Sequence, residues 1–243
     1  MSTSAIGSAQ YWEEVATSRW GRYISAAETA AVEHALATAP YPHTALDVGC
    51  GHGRWTTLML DHGWSVTASD VDPAAVRTCA QRNPDAECLV VDAGSRALSA
   101  GDGSVSLVVC IEVLPVIASE WFLPEVHRVL APGGLLVTIA WNRDSLRGQV
   151  TSALSRVRRG EPHPHYRISY RAWRRQLVAA GLRVESEVGL CWLPFGRRSD
   201  SRLIPAAVGL ERRLGLSRLP AASPWVLVTA RRDAAPRTTG GVG

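Results

Sequence analysis

The sequence predicts a doubly wound α/β fold, in which helices cover both faces of a mostly parallel sheet. Strand-like and helix-like segments alternate from Thr44 to Trp141, as such a fold requires. The first of these strands runs into three glycines at alternate positions, Gly49, Gly51 and Gly53, and a helix-like segment follows. At 243 residues and 46% apolar content, the chain is long enough for one such domain with a buried sheet.

The glycine turn lies within Ala45–Trp55, which reads ALDVGCGHGRW. Because glycine has no Cβ, such a turn lets backbone N–H groups and a helix N-terminus approach a ligand closely. Its G-x-G-x-G spacing differs from the G-x-G-x-x-G/A spacing of dinucleotide-binding proteins, since Arg54 directly follows Gly53. The spacing therefore argues against a nicotinamide-dependent oxidoreductase.

The next two predicted strands each end in a carboxylate. Asp70 ends the second strand, and an acid at this position can accept hydrogen bonds from both hydroxyls of a ribose. Asp72 and Pro73 then begin a helix, as its N-cap and first residue. Asp92 ends the third strand and is followed by Ala93.

Two more strands complete the pattern. The fourth is Val105–Glu112, and the fifth is Leu135–Trp141, which follows a Pro132-Gly133-Gly134 turn. Together these motifs have the order and spacing of the class I S-adenosylmethionine-dependent methyltransferases, which the chain resembles most strongly over residues 44–144. Within that superfamily it is similar to the small-molecule methyltransferases of ubiquinone and menaquinone biosynthesis. The resemblance implies a Rossmann-like, seven-stranded sheet with an N-terminal helical cap.

The resemblance also implies S-adenosyl-L-methionine as cofactor and S-adenosyl-L-homocysteine as product. Asp70 with Val71 would meet the ribose, Asp92 with Ala93 the adenine, and the Cys110 backbone the methionine arm. Asp47 either helps to orient the methionine ammonium or holds the glycine turn. The full set of expected cofactor-binding residues is Asp47, Gly49, Cys50, Gly51, Gly53, Asp70, Val71, Asp92, Ala93 and Cys110.

The catalytic base is where the sequence departs from these relatives. In them a Glu-His pair follows the leucine of the fourth motif, whereas Pro115 and Val116 stand there in this chain. The remaining candidates for a catalytic group are Glu112, His163 and His165. Glu112 can also be a structural acid at a helix start, and the two histidines can lie in a solvated Pro-rich loop. Without a base, an easily ionised acceptor or catalysis by proximity would be required.

Aromatic residues and one arginine are the candidates for binding the acceptor. Tyr11 and Trp20 precede the first strand, where they either pack a cap helix onto the core or form a lid. Trp141 and Arg143 end the fifth strand, at the edge where α/β sheets bind ligands. Arg143 can instead pair with Asp144. The remaining acceptor candidate, in the loop after the following helix, is Tyr166.

The domain organisation follows from these segments. We expect one domain over residues 1–233 and a disordered tail over residues 234–243. Within the domain, residues 1–42 are a helical cap, in which a capping box at Ser25–Glu28 begins a helix that runs to Ala39. Residues 44–141 are the cofactor-binding core, 142–181 a substrate-side insertion and helix, and 182–233 the last strands.

Composition excludes little but sets expectations for compartment and partners. The 26 basic residues are all arginines, the net charge is +4, and the sequence pI is about 9.0. This balance permits nucleic-acid binding without arguing for it. The cysteines are odd in number, five, and form no C-x-x-C motif, so we expect reduced thiols in the cytoplasm. We expect no metal site, since no ligand spacing is recognisable, and no membrane partner, since the longest apolar runs are too short to span a bilayer.

These observations predict methyl transfer from S-adenosyl-L-methionine to a small molecule of secondary metabolism, with a hydroxyl oxygen as the favoured acceptor. One alternative is a protein of the same fold that binds the cofactor but catalyses a lyase or cyclase reaction. Another is a nucleic-acid or protein methyltransferase. An arginine-rich stripe favours that last reading, and it comprises Arg156, Arg158, Arg159, Arg171, Arg174 and Arg175. Against it, the proline-rich box of many base methyltransferases is absent at residues 110–113. The oligomeric state is left open.

Overall fold

The computed structural model describes residue 15, residues 17–193 and residues 195–233. Tyr11 and the expected tail therefore lie outside the described residues. The strands are β1 Thr44–Val48, β2 Ser65–Asp70, β3 Glu87–Val90, β4 Val105–Cys110, β5 Leu130–Trp141, β6 Leu182–Leu190 and β7 Trp225–Arg232. The helices are α1 Arg19–Thr38, α2 Arg54–Asp61, α3 Pro73–Arg82, α4 Leu114–Ile117, α5 Phe122–Val129, α6 Leu146–Arg159, α7 Tyr170–Ala179 and α8 Ile204–Arg213.

The seven strands form one sheet in the order β3-β2-β1-β4-β5-β7-β6. Strands β1 to β5 are parallel, and β7 runs antiparallel to both of its neighbours. The predicted seven-stranded, mostly parallel Rossmann-like sheet is thus confirmed. Because the carboxyl ends of β1 to β5 lie at one edge, the loops that follow these strands meet there.

Both faces of the sheet are covered, which is why the central strand β4 is buried along its whole length. Side chains alternate along it. Leu107 and Val109 pack toward α1 and α2, whereas Val108 and Cys110 pack toward α5 and α7.

Helix α1 begins earlier than the sequence suggested. Its N-cap is Ser18, whose Oγ accepts a hydrogen bond from the Gly21 backbone N–H at 2.9 Å. The predicted capping box at Ser25–Glu28 is therefore wrong, because Glu28 lies inside the helix. Its carboxylate instead accepts a hydrogen bond from Arg54 of α2, at 3.1 Å. Glu28 is thereby buried between the cap helix and the core.

Three strand boundaries also differ from the predictions. β3 ends at Val90, so Asp92 lies in the turn beyond it. β4 ends at Cys110, and Glu112 follows with a positive φ of 64°. β5 begins at Leu130 and contains the predicted Pro-Gly-Gly turn, beside an irregularity in its pairing with β4 between Val105 and Leu107. Each difference places a strand end about two to five residues from its expected position.

The segment between β5 and α7 leaves the sheet after Asn142 and returns to it at Ile168, which lies beside Asn142. The Asn142 side chain donates hydrogen bonds to the carbonyls of Ala221 and Ser223 and accepts one from the Tyr170 N–H. The Arg143 N–H donates to the carbonyl of Ile168, 2.8 Å away. Helix α6 lies within this segment, capped by Ser145 and ended by Gly160 in the left-handed conformation. None of the described helices is long and apolar enough to cross a membrane.

Candidate functional site

The glycine turn after β1 is shaped by close packing. Gly49 and Gly53 both have positive φ, of 72° and 83°. A Cβ on Gly49 would lie 2.3 Å from a methyl carbon of Val113, and one on Gly53 would lie 2.4 Å from the Asn83 side-chain nitrogen. Only glycine fits both the backbone conformation and the space at these positions. The turn is thereby held against the end of α3, through Asn83, and against the segment that follows β4, through Val113.

Asp70 joins the glycine turn to the end of β2. One carboxylate oxygen accepts a hydrogen bond from the Gly51 N–H at 2.9 Å, and the other accepts one from the Asp72 N–H at 3.0 Å. Each oxygen keeps a further lone pair for a ligand. The structure therefore brings Gly51 and Asp70 together at the carboxyl edge, with Val71 exposed beside them.

Asp92 and Ala93 are exposed in the turn after β3. The Asp92 carboxylate accepts a hydrogen bond from the Gly94 N–H at 2.8 Å, which stabilises this turn. The turn is held next to Asp70, because the Val91 N–H donates to the Asp70 carbonyl at 3.0 Å. Both expected ribose-side and adenine-side acids therefore lie on neighbouring loops.

Asp47 is buried within β1 and faces α2. Its carboxylate accepts a 2.6 Å hydrogen bond from the Thr56 hydroxyl. Burial raises the pKa of Asp47 to about 7, and the Thr56 hydrogen bond opposes this rise. With its side chain enclosed in this way, the geometry favours holding the glycine turn over direct contact with a ligand.

Glu112 stands at the centre of the site. It lies two residues after Cys110, the last residue of β4, whose carbonyl accepts a hydrogen bond from the Thr138 hydroxyl. It directly precedes Val113, which packs on Gly49. Both of its carboxylate oxygens are buried and have no hydrogen-bond partner among the described residues. Such a group is costly unless a ligand or a proton satisfies it.

The electrostatic surroundings of Glu112 favour its protonated form. Burial raises its pKa to about 8; the positive charge of Arg197 opposes this rise, the negative charge of Glu28 adds to it, and the nearby Trp141 indole N–H, although not aligned as a full hydrogen bond, opposes it slightly. Glu28 is itself buried, and desolvation raises its pKa to about 7 against the attraction of Arg54. Two weakly acidic carboxyl groups therefore face the same region of the protein interior.

Aromatic rings enclose the space beside Glu112. Trp141 stacks on Trp225 at a centroid distance of 4.1 Å, and Trp20 meets Trp225 edge-on at 5.1 Å. Tyr166 lies 5.4 Å from Trp141, and the Arg197 guanidinium lies 4.2 Å above the Trp141 ring. The described acceptor candidates Trp20, Trp141 and Tyr166 are thus brought together.

Indole N–H groups add to the unsatisfied polar atoms of this region. Those of Trp141 and Trp225 are buried without a well-aligned hydrogen-bond partner in the described part of the chain. Together with the Glu112 oxygens they provide both donors and acceptors for a polar ligand group next to an aromatic wall.

The two histidines lie close to the aromatic rings but are weak bases. His165 is 5.2 Å from Trp141, and His163 is 5.3 Å from His165. Burial, with help from Arg197, lowers the pKa of His165 to about 4, and the same causes lower the pKa of His163. With lowered pKa values both imidazoles are weak bases, whereas Glu112, with a pKa of about 8, is the stronger base once it is ionised, which favours Glu112 for that role above neutral pH.

The environment of Arg143 differs from that of the aromatic residues. It is exposed and pairs with Asp144 at 3.5 Å, the simpler of the two roles considered for it. Both residues line a cavity of about 620 Å³, which extends along α6 to His163 and Tyr166. This cavity therefore adjoins the aromatic rings.

Several residues of the site carried no recognised signal in the sequence. Glu28 was assigned to a helix cap, and Trp225 was expected only as part of one of the last strands. Trp225 reaches the site only because β7 is antiparallel, so that its first residue pairs with Trp141 at the end of β5. Arg197 lies in a loop whose path the sequence does not reveal. In the described part of the chain no group of acidic, histidine or cysteine residues is arranged to hold a metal ion. All five cysteines are free thiols.

The strand order, the glycine turn and the acid at the end of β2 together define a class I, S-adenosylmethionine-dependent methyltransferase domain. Residues 46–138 match a family whose model is described as a methyltransferase domain. This segment of the chain belongs to that family.

Comparison with known proteins gives two relatives with named substrates or pathways. The 2-methyl-6-phytyl-1,4-hydroquinone methyltransferase of Synechocystis is 37% identical over 44% of this chain and 35% of its own length. A ubiquinone biosynthesis O-methyltransferase of Caulobacter is 30% identical over 40% of this chain and 40% of its own. The chain thus spans well under two thirds of these relatives.

A solved structure of similar fold covers more of the chain. The geranyl diphosphate C-methyltransferase of Streptomyces coelicolor, in complex with Mg²⁺, geranyl diphosphate and S-adenosyl-L-homocysteine, has a TM-score of 0.63. It is 21% identical and covers 95% of this chain and 89% of its own. At this identity the likeness concerns the fold.

Proposed function

We propose that this protein binds S-adenosyl-L-methionine and methylates a hydroxyl oxygen of a small aromatic molecule of secondary metabolism. The observation that carries the proposal is the buried Glu112 carboxylate, whose oxygens have no well-aligned hydrogen-bond partner among the described residues. It interacts with Trp141, and its neighbour Val113 packs on Gly49 of the glycine turn. The two quinone-related relatives support an aromatic alcohol as the acceptor class.

The residues present fit the cofactor. The Gly49–Gly53 turn has a backbone conformation that only glycine allows in this space, and it places backbone N–H groups at the carboxyl edge of the sheet, where Asp70 keeps lone pairs for the ribose hydroxyls. Asp92 and Ala93 would meet the adenine, and the backbone around Cys110 the methionine arm. When bound, S-adenosyl-L-methionine supplies an electrophilic methyl group.

The chain's own residues supply alignment and proton transfer. The rings of Trp141, Tyr166 and Trp225 hold the acceptor and exclude water from the Glu112 carboxylate. Glu112 accepts the proton of the acceptor hydroxyl as the oxygen–methyl bond forms. Alignment of this kind can supply ~7–11 kcal/mol of the barrier reduction in favourable cases.

The cofactor assignment is tested by thermal unfolding with added ligands. S-adenosyl-L-methionine and S-adenosyl-L-homocysteine should each stabilise the protein, by about 2.7 kcal/mol at a hundredfold excess over the dissociation constant, and NAD should not. Asp70→Asn should reduce this stabilisation, because it removes charge and an acceptor from the ribose position. Asp61→Asn, an exposed acid at the end of α2, serves as the matched control. Stabilisation by NAD alone would refute the assignment.

A further inference from the structure

Helix α6 is amphipathic, but it buries its polar face and exposes its apolar face. The residues it buries against the protein are small or polar, Gly148, Ser152 and Ser155. Its apolar residues instead face outward at positions i, i+4, i+8 and i+11. Leu146 and Val157 are 78% and 86% exposed, and Val150 and Leu154 are each 50% exposed. We call these four residues the α6 stripe.

Close packing fixes this orientation of α6. A Cβ on Gly148 would lie 2.5 Å from the Asn142 carbonyl oxygen, so the buried face approaches the backbone at the end of β5. Arg147 donates hydrogen bonds to the carbonyls of Cys191 and Phe195. The helix cannot rotate its stripe inward without breaking these contacts. The apolar stripe is therefore a permanent feature of the surface.

The charged side chains beside the stripe within α6 are arginines, and the acids Asp144 and Glu161 lie only beyond the two ends of the helix. Every charged residue of α6 is an arginine, and Arg156 and Arg158 lie on either side of the stripe near its end. Both are exposed, and neither forms an ion pair in the part of the chain that the structure describes. An apolar band flanked by cations fits a surface that is apolar within and negatively charged at its rim.

We propose that the α6 stripe docks onto an anionic lipid bilayer, with Leu146, Val150, Leu154 and Val157 inserted at the interface and Arg156 and Arg158 at the phosphates. A second copy of this chain fits less well, because α6 contains no acid to face the arginines of its partner. This proposal departs from the expectation of no membrane partner, because only the fold shows that the apolar face of α6 lies outward.

The position of α6 connects this surface with the site. The 620 Å³ cavity is lined by Ser152, Ala153 and Arg156 on α6 and by His163 and Tyr166 beyond it. Tyr166 in turn contacts Trp141. A docked α6 would therefore place the cavity beside the lipid surface. The docking does not depend on methyl transfer, so it can be tested on its own.

The test is co-sedimentation of the full chain with vesicles of phosphatidylcholine, with and without phosphatidylglycerol. The wild type should bind only the vesicles that contain phosphatidylglycerol. Val157→Asp should weaken this binding at least about tenfold, by loss of apolar insertion and by repulsion. Replacing Arg156 and Arg158 together by glutamine should weaken it roughly 30-fold, since each arginine near such a surface contributes about fivefold.

Val178→Asp is the matched control, since Val178 is 53% exposed on α7. It should bind like the wild type, and thermal unfolding of all variants should match the wild type because the altered side chains are exposed. Absence of wild-type binding, or binding that Val157→Asp leaves unchanged, would overturn the proposal. So would a dimer, seen by sedimentation velocity, that Val157→Asp dissociates.

Discussion

Replacing Glu112 by glutamine is expected to lower kcat for methylation of a hydroxyl acceptor by roughly 10²–10⁴-fold, the range that a general base contributes. Glutamine keeps the shape of the side chain but cannot take the proton. Stabilisation by S-adenosyl-L-homocysteine should persist, because the glycine turn and Asp70 are unchanged. The measurement is the initial rate of S-adenosyl-L-homocysteine formation with a series of hydroquinones and phenols, alongside thermal unfolding.

The pH dependence of the methylation rate tests whether Glu112 is the catalytic base. Burial raises the pKa of Glu112 to about 8, and a base must be ionised to act. The wild-type rate should therefore rise with pH and level off above about 8, and Glu112→Gln should lose this rise. Glu28→Gln is the matched control: because Glu28 helps to raise the pKa of Glu112, this variant should keep the rise but shift its midpoint to lower pH. A Glu112→Gln variant as fast as the wild type would show that Glu112 is not the base.

The same carboxyl group affects stability without ligand. Its pKa in the folded protein, about 8, lies above the ordinary value of 4.5, so the folded state holds a proton that the unfolded state releases between these values. The stability due to this proton is fully present below about pH 4.5 and is lost as pH rises to about 8. Glu112→Gln should flatten the dependence of the unfolding free energy on pH over this interval, which urea titrations at several pH values would measure.

Gly49→Ala is expected to destabilise the protein by roughly 2–5 kcal/mol. About 1–2 kcal/mol comes from placing an alanine in the left-handed conformation, and about 1–3 kcal/mol comes from overpacking against Val113. The displaced turn should also lose its affinity for S-adenosyl-L-methionine. Urea unfolding and the thermal shift with ligand would measure the two effects.

Two further variants separate the backbone cost of Gly49→Ala from its steric cost. Gly63 has a φ of 76° but no atom within 4 Å of an added Cβ, so Gly63→Ala should show the backbone cost alone. Adding Val113→Ala to Gly49→Ala should remove the steric cost and leave the backbone cost, with Val113→Ala alone as the reference. If Gly49→Ala costs no more than Gly63→Ala, close packing against Val113 does not shape the turn.

The sequence could predict the cofactor half of the site because its determinants are local. Glycines at alternate positions after an apolar strand, and Asp70 at the end of the next one, depend only on neighbours along the chain and on parallel pairing. The structure accordingly joins Gly51 and Asp70 by a direct hydrogen bond. The Asp72 cap on α3 is equally local, and it forms as expected.

The acceptor half depends on contacts between distant segments, which periodicity does not encode. Glu28 and Glu112 influence each other across 84 positions of sequence, and Trp225 meets Trp141 only through the reversed direction of β7. The position of α1 was missed for a related reason. Ser18 lacks the acid three residues later that marks a capping box, so the more regular pattern at Ser25 misled the prediction.

The hydrogen bonds of Asn142 affect which parts of this protein can tolerate changes of sequence during evolution. The buried Asn142 side chain lies where the chain leaves the sheet, and it also binds the Tyr170 N–H where the chain returns. Residues 143–167 therefore form a loop whose two ends are held together. Insertions, deletions or wholesale replacement between these ends need not disturb any strand pairing. The segment that we propose to meet the acceptor can therefore change in sequence and length without disturbing the strands that carry the glycine turn and Asp70.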